Sequence, residues 1–233
     1  MPTIITPTGN RQRGMDLLAG YINAQTYSGP LTWIIVDDCH PVTSIPPVRK
    51  GIMTVIVDPP WLWEPGMNTQ AQSMAAALAH VAPGDTCIIM EDDDCYLPDH
   101  ISNVLSALES ADLVGERVAR YYNVATSRYK VIPGNFHASL ASTAVKGKAL
   151  AKLIEVCQRG SRRIDMDLWR EFDGSKTLLD TGNVIGIKGM PGRCGIGVGH
   201  RDNFGHLDIA GDILRQWAGD VAANYGKDIL CTG

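Results

Sequence analysis

The stretch TCIIMEDDD, residues 86–94, joins an apolar β-type run to four adjacent acidic residues. Two earlier stretches have the same form: residues 3–6 lead into the turn PTGNR at 7–11, and residues 31–36 lead into a pair of aspartates. A further apolar run follows at 52–57, and helical segments separate these runs. Continuous apolar strands that alternate with helices are typical of a mostly parallel sheet covered on both faces. The sequence therefore predicts an α/β fold.

Three of the predicted strands end in polar side chains that can carry chemistry. In an open parallel sheet, ligands bind at the carboxyl ends of the strands. We therefore expect the turn 7–11, the aspartates 37–38 and the acids 91–94 to lie at one edge of the sheet. Adjacent acids repel one another unless a cation or hydrogen-bond donors neutralise them. Because Mg²⁺ and Mn²⁺ prefer carboxylate oxygens, the cluster predicts a divalent metal site.

Composition excludes several other classes of protein. The chain has 233 residues, 21 of them basic and 25 acidic, so the net charge of −4 equals the charge of the four acids at 91–94. The longest apolar runs fall far short of the roughly 18 residues of a membrane helix. The six cysteines form no CxxC pair, which indicates reduced thiols and a cytoplasmic location. A pI near 5.8 argues against strong non-specific binding to nucleic acid.

The second half of the chain differs in kind from the first. Residues 117–132 predict a β-hairpin around Thr126 and Ser127, and helices are predicted at 148–158 and 207–223. Seven glycines fall within 182–199, beside Lys188 and Arg193. So many glycines indicate unusual backbone angles or a close approach to a ligand. The length favours one continuous domain, with halves at 1–115 and 116–233.

The segments IITPTGNR (4–11), IIVDDCHP (34–41) and IIMEDDDCYLPDHI (88–101) together resemble the nucleotide-sugar domain of GT-A glycosyltransferases of the family-2 type. The stand-alone form and the loop GIKGMPGR (186–193) are similar to phage-encoded members, some of which modify DNA bases. The resemblance implies a GT-A, Rossmann-like fold with a smaller acceptor half that contains β-strands. It also implies transfer of a sugar from a nucleoside diphosphate sugar, a UDP-sugar first of all, with Mn²⁺ or Mg²⁺ as cofactor.

The resemblance also implies roles for individual residues. One of the aspartates at 37 and 38 would hydrogen-bond the base, Asp92 would lie near the ribose, and Asp93 would bind the metal with help from Asp94. A histidine from the C-terminal part of the chain would complete the metal shell. Glu91 stands where the family more often has aspartate. The residues expected to bind the nucleotide sugar are Thr6, Pro7, Thr8, Arg11, Asp37, Asp38, Asp92, Lys188 and Arg193; those expected to bind the metal are Asp93, Asp94 and His200.

The segment SRRIDMDLWREF, residues 161–172, resembles the part of the family that carries the catalytic base. Asp165 stands at the position of the base in inverting members, and Asp167 is the alternative. A base is needed there because the acceptor hydroxyl must lose its proton as it attacks C1 of the sugar. Both acids can equally be explained as favourable charges at a helix N-terminus. The choice between these interpretations stays open at this point.

Two other functions fit parts of the pattern. A nucleotidyltransferase uses a similar sheet and paired acids, but it usually has a longer N-terminal glycine loop than TPTGNR. A non-catalytic module that binds nucleotide sugars would not need the acids, a base and a basic loop together. The acceptor is left open by the sequence: a saccharide, a protein or a hydroxymethylated DNA base all present a suitable hydroxyl.

Overall fold

The computed structural model describes residues 1–39, 43–134, 136–193 and 204–225. In the first half, strands and helices alternate as β1 Pro2–Thr8, α1 Gln12–Asn23, β2 Leu31–Asp37, β3 Ile52–Val57, α2 Gln70–Leu78, β4 Thr86–Ile89, β5 Cys95–Tyr96 and α3 His100–Ala107. The second half continues with β6 Leu113–Glu116, β7 Val118–Asn123, β8 Arg128–Pro133, β9 Ala144–Val145, α4 Gly147–Gln158, α5 Ile164–Glu171, β10 Lys176–Leu179, β11 Val184–Lys188, β12 His206–Leu207 and α6 Asp212–Ala218. Short 3₁₀ helices span Leu140–Ser142 and Gly219–Tyr225.

The larger sheet has seven strands in the order β10-β6-β9-β4-β1-β2-β3. Strand β1 is parallel to both of its neighbours, β2 and β4, whereas β9 is antiparallel to β4 and β6. Side chains of β1 alternate between two apolar clusters: Ile4 packs with α1 on one face, and Ile5 packs with α2 and α4 on the other. A mostly parallel sheet covered by helices on both faces is therefore confirmed.

The smaller sheet has five strands in the order β12-β8-β7-β11-β5. The predicted hairpin is present as β7 and β8, and Ser127 in its turn has a φ of 49°. Strand β5 pairs with β11 in this sheet, although only five residues separate it from the end of β4 in the larger sheet. The chain therefore crosses from one sheet to the other within residues 90–94, the segment that contains the four acids.

The predicted helix over 207–223 is wrong as a single element. The segment instead forms β12, then α6, then a 3₁₀ turn that ends at Tyr225. Gly211 and Gly219 have φ values of 71° and 57°, and such left-handed angles interrupt a helix on either side of α6. One of the helical segments expected between the apolar runs is α2, which spans Gln70–Leu78. No helix in the described ranges is long and apolar enough to cross a membrane.

The division of the chain into halves at residue 115 stays a prediction. Strands β9 and β10, which come from the second half in sequence, lie in the larger sheet beside β6. The C-terminal 3₁₀ segment also returns to the first half, where the hydroxyls of Tyr225 and Tyr21 are 2.6 Å apart. These contacts hold α1 and the end of the chain together behind the acidic crossing.

Candidate functional site

A cleft of about 320 Å³ opens at the carboxyl ends of β1, β2 and β4. The start of α2 and the turn before α5 form its other walls. The residues that line it are Pro7, Thr8, Gly9, Arg11, Asp38, Met67, Asn68, Thr69, Gln70, Ser73, Glu91, Asp92, Asp93, Arg162, Lys188 and Arg193. The three strand ends that the sequence predicted to converge therefore do so.

Asp92 points back toward β1. It is only 2% exposed, and it accepts hydrogen bonds from Thr8 Oγ1 at 2.6 Å and from Arg11 Nη1 at 2.7 Å. Burial raises the pKa of Asp92, and the charge of Arg11 lowers it in part. Burial lowers the pKa of Arg11, but Asp92 and Asp93 raise it by more. Arg11 Nε also donates to the carbonyl of Arg193 at 2.7 Å, which ties the glycine-rich segment to the strand end.

Asp38, rather than Asp37, faces the cleft. Its Oδ1 lies 2.5 Å from Arg193 Nη1, and its Oδ2 accepts a hydrogen bond from the hydroxyl of Thr69. The Arg193 guanidinium lies 4.7 Å from the ring centroid of Trp63. Asp37 instead accepts the backbone N–H groups of residues 39 and 43, at 3.1 and 2.6 Å, so it holds the turn after β2. The structure thus separates two aspartates that the sequence left as alternatives.

Glu91, Asp93 and Asp94 form a carboxylate cluster, with one oxygen of each lying within 4.8 Å of the others. Asp94 Oδ1 accepts the N–H of Ile187 at 2.9 Å, and Lys188 Nζ lies 3.1 Å from that oxygen and 3.6 Å from Asp93 Oδ2. Burial, reinforced by the neighbouring carboxylates, raises the pKa of Glu91 to about 8. Burial also raises the pKa of Asp94, to about 7, although Lys188 opposes the shift.

The cluster fits a divalent cation. It offers only oxygen donors, which hard cations such as Mg²⁺ and Mn²⁺ prefer. The neighbouring carboxylates add to the rise that burial causes in the pKa values of Glu91 and Asp94, so a bound cation would relieve the repulsion among them. The predicted metal set of Asp93, Asp94 and His200 changes in one respect, because Glu91 joins the two aspartates. His200 lies outside the described residues, and its role stays a prediction.

Asp165 is the second residue of α5, and it is not among the residues that line the cleft. Burial raises its pKa, while His137 is close enough to oppose that shift. The pKa of Tyr121 rises to about 12, chiefly through burial, and both Asp165 and Asp94 contribute to the rise. Tyr121 also lies under Lys188, with 5.8 Å between Nζ and the ring centroid. Asp165 is therefore within electrostatic reach of residues that surround the carboxylate cluster.

Asp167 has a different environment from Asp165. Its carboxylate accepts hydrogen bonds from Ser161 Oγ at 2.7 Å and from Arg170 Nη2 at 2.8 Å. The hydrogen bond from Ser161 is the main cause of its lowered pKa, and Arg159 adds to the effect. Asp167 thus belongs to a surface ion-pair network, whereas Asp165 has no ion pair within the described residues.

The structure places Thr6 beneath the cleft rather than in its wall. The Thr6 hydroxyl donates to the carbonyl of Met90 at 2.8 Å and accepts from Trp33 Nε1 at 2.9 Å. It therefore supports the strand ends from below. Of the residues predicted to bind the nucleotide sugar, those that line the cleft are Pro7, Thr8, Arg11, Asp38, Asp92, Lys188 and Arg193.

Several cleft residues escaped the sequence analysis. Thr69 immediately precedes α2, and its side chain makes no capping bond but donates to Asp38 instead. Gln70 donates to Glu91 Oε1 at 2.6 Å, which fixes the orientation of that carboxylate. Arg162 lines the cleft from the turn before α5. The position of α2 directly after β3 was a usable signal, because such helices begin at the ligand edge of the sheet.

Comparison with known proteins supports the fold. No protein-family model matches the sequence, and no curated protein matches it. Solved structures of S. aureus TarS are similar to 80% of this chain. The TM-score is 0.53 at 11% identity for TarS, 0.54 at 11% for TarS 1–349 in complex with UDP, and 0.55 at 12% for TarS 1–349 in complex with UDP-GlcNAc. This chain spans 36%, 60% and 58% of those chains, respectively.

At this level of identity, the likeness shows the fold alone. The mostly parallel sheet flanked by helices and the likeness to TarS together confirm the glycosyltransferase-like α/β fold expected from the resemblance. Membership of family 2 and of the phage type stays a prediction.

Proposed function

We propose that this chain is a metal-dependent glycosyltransferase that uses a nucleoside diphosphate sugar as donor. The observation that carries the proposal is the carboxylate cluster of Glu91, Asp93 and Asp94, which shares one cleft with Asp38 and Asp92. A metal-binding cluster beside polar groups at the ends of parallel strands suits a nucleotide with a diphosphate. The TarS structures that contain UDP and UDP-GlcNAc favour a UDP-sugar among the possible donors.

In this proposal, each wall of the cleft has a separate task. The β1 turn at Pro7 and Thr8 binds the nucleoside with Asp38, and Asp92 lies near the ribose. Glu91, Asp93 and Asp94 would hold Mn²⁺ or Mg²⁺, which supplies positive charge to the diphosphate when it is bound. The protein's contribution is to place these oxygens in a partly buried cleft, where electrostatic interactions are stronger than in water.

Asp165 is proposed as the base. The acceptor oxygen forms a bond to C1 of the sugar while the bond from C1 to the diphosphate oxygen breaks, and the acceptor proton passes to Asp165. The nucleoside diphosphate leaves with the bonding electron pair. Partial burial of Asp165 raises its pKa, which strengthens it as a base. Attack from the side opposite the diphosphate would invert the configuration at C1.

A saccharide, a protein or a hydroxymethylated DNA base is proposed as acceptor, and the cytoplasm is proposed as the location. The acceptor classes differ in charge and size, so an assay that supplies one example of each separates them.

The test is release of UDP from a panel of UDP-sugars, measured with Mn²⁺, with Mg²⁺ and with EDTA, in the presence of each acceptor class. We expect release to require both a divalent ion and one acceptor, and to be lost in Asp93→Asn. The exposed Asp58 serves as the matched control, so Asp58→Asn should retain activity. Release of pyrophosphate from a nucleoside triphosphate would instead indicate a nucleotidyltransferase, and binding of UDP-sugars without turnover would indicate a binding module.

A further inference from the structure

Four cationic side chains line the cleft, and three of them are already paired with carboxylates. Arg11 Nη1 lies 2.7 Å from Asp92, Lys188 Nζ lies 3.1 Å from Asp94, and Arg193 Nη1 lies 2.5 Å from Asp38. Each of these cations offsets negative charge that the protein itself places in or under the cleft. They are therefore poorly available to a second anion.

Arg162 is the fourth cation. It lies in the turn before α5, is exposed, and lines the cleft. Within the described residues it forms no hydrogen bond and no ion pair. The adjacent Arg163 is also exposed but does not line the cleft. The two arginines thus share charge and exposure and differ in whether they face the site.

An anion that enters this cleft meets the acids of the site at close range. The carboxylates of Asp38, Glu91, Asp92 and Asp93 all line it, and they would repel a diphosphate. A bound divalent ion offsets part of this repulsion. Arginine is the side chain best suited to supply the rest, because its planar fork binds phosphate oxygens through two parallel hydrogen bonds.

We infer that Arg162 binds the diphosphate of the donor, in a role that rests on the proposed function. Negative charge builds up on the diphosphate oxygen as its bond to the sugar breaks, and a fixed donor aimed at that oxygen lowers the barrier. Arg162 also precedes Asp165 by three residues, so one short segment carries both the leaving-group cation and the base. A donor that binds Arg162 would therefore also fix the position of Asp165.

The test compares Arg162→Gln with its matched control, Arg163→Gln, and with the charge-conserving Arg162→Lys. Dissociation constants for UDP and for uridine are measured by titration calorimetry at fixed Mn²⁺ and ionic strength. We expect Arg162→Gln to weaken UDP binding by about 10- to 100-fold, the effect of losing a charged hydrogen bond. Uridine binding should not change, Arg163→Gln should match the wild type for both ligands, and Arg162→Lys should recover part of the loss.

Two results would overturn the inference. One is UDP binding by Arg162→Gln that equals binding by Arg163→Gln, and the other is an equal loss of UDP and uridine affinity. In either case, wild-type turnover of a UDP-sugar would leave the proposed function standing. If the wild type binds neither UDP nor uridine, the inference falls together with the proposed choice of a UDP-sugar as donor. A melting curve for each variant confirms that the exposed substitutions leave the fold intact.

Discussion

Replacing Lys188 with methionine tests whether the carboxylate cluster is built for a divalent ion. Methionine keeps the apolar stem of the side chain and removes its charge. Without a metal, Glu91, Asp93 and Asp94 then lose the cation that lies 3.1 Å from Asp94 and 3.6 Å from Asp93. With a metal, the same change removes a positive charge that repels the ion. The substitution should therefore destabilise the metal-free protein and strengthen its response to Mn²⁺.

The expected size follows from these distances. Unit charges about 3 Å apart interact by about 5 kcal/mol at an effective dielectric constant of about 20, and removing one partner of a buried pair costs about 3–5 kcal/mol after relaxation. In a domain of this length, each kcal/mol corresponds to about 2–4 °C in Tm, so Lys188→Met should lower the metal-free Tm by about 10 °C. If Lys188→Met raises the affinity for Mn²⁺ tenfold, Mn²⁺ should stabilise the variant by about 1.4 kcal/mol more than it stabilises the wild type. This adds about 3–5 °C to the rise in Tm that Mn²⁺ produces.

The assay is thermal unfolding at pH 7.5 in EDTA and in a series of Mn²⁺ concentrations. Lys148→Met is the control, because Lys148 is an exposed lysine of α4. Glu91→Gln should show the opposite pattern from Lys188→Met, with a smaller response to Mn²⁺ than the wild type. If Mn²⁺ raises the Tm of Lys188→Met by no more than it raises that of the wild type, the reasoning about the cluster is refuted.

Three further predictions concern other parts of the site and its support. Asp165→Asn should reduce sugar transfer by about 100- to 10,000-fold and leave UDP binding unchanged, because it removes the proposed base. Asp167→Asn keeps that base and should stay active. His100 is 1% exposed, and burial lowers its pKa from 6.5 to about 4. The free energy of unfolding that this residue contributes above pH 6.5 should therefore fall by about 3 kcal/mol as the pH drops toward 4. Urea unfolding across this pH range measures the change. Gly9→Ala should lower stability by about 1–3 kcal/mol in the same assay, because a Cβ there would lie 2.5 Å from Asp38 Oδ1.

Each of these predictions has a result that contradicts it. Full transfer by Asp165→Asn would remove its assignment as base. The loss of stability at low pH should disappear in His100→Phe. It should persist in the control His80→Gln, since His80 is exposed. Equal curves of stability against pH for the two variants would exclude His100 as the cause. Gly20→Ala is the control for Gly9→Ala, because a Cβ at Gly20 meets nothing within 4 Å and alanine favours a helix.

The convergence of the strand ends could be predicted from the sequence. Buried parallel strands are recognisable as continuous apolar runs, and parallel neighbours end at the same edge of a sheet. Thr8 pairs in register with Asp37, and Ile5 pairs with Ile89, so the residues after these positions must meet. That register brings the turn containing Arg11 close to Asp92 and places Asp38 at the cleft.

The orientation of the four acids could not be predicted in the same way. In an extended strand, alternate residues share a face, which would pair Glu91 with Asp93 and Asp92 with Asp94. The chain instead turns, and the N–H of Asp94 donates to the carbonyl of Glu91 at 3.4 Å. The turn moves Asp94 to the side of Glu91 and Asp93 and leaves Asp92 facing β1. Turn geometry of this kind depends on where β5 pairs, far along the chain.

Long-range ion pairs are a second limit of sequence reasoning. Lys188 and Arg193 were recognised as basic residues of a glycine-rich segment, but their partners lie 94 and 155 residues away. Nothing in local pattern specifies such partners. Lys188 and Arg193 neutralise Asp94 and Asp38 in this structure, which leaves Arg162 as the cleft cation that has no ion pair among the described residues.

Because the chain crosses from one sheet to the other within residues 90–94, the number of residues in this segment matters for folding as much as their types do. Strand β4 is fixed at one end by pairing with β1, and β5 is fixed at the other by the pairing of Tyr96 with Val184. An insertion of one residue between them would move one strand by one position and turn its side chains to the opposite face. We expect libraries of insertions and deletions to be depleted across 90–94 and tolerated near the exposed Gly66, whatever substitutions either segment accepts.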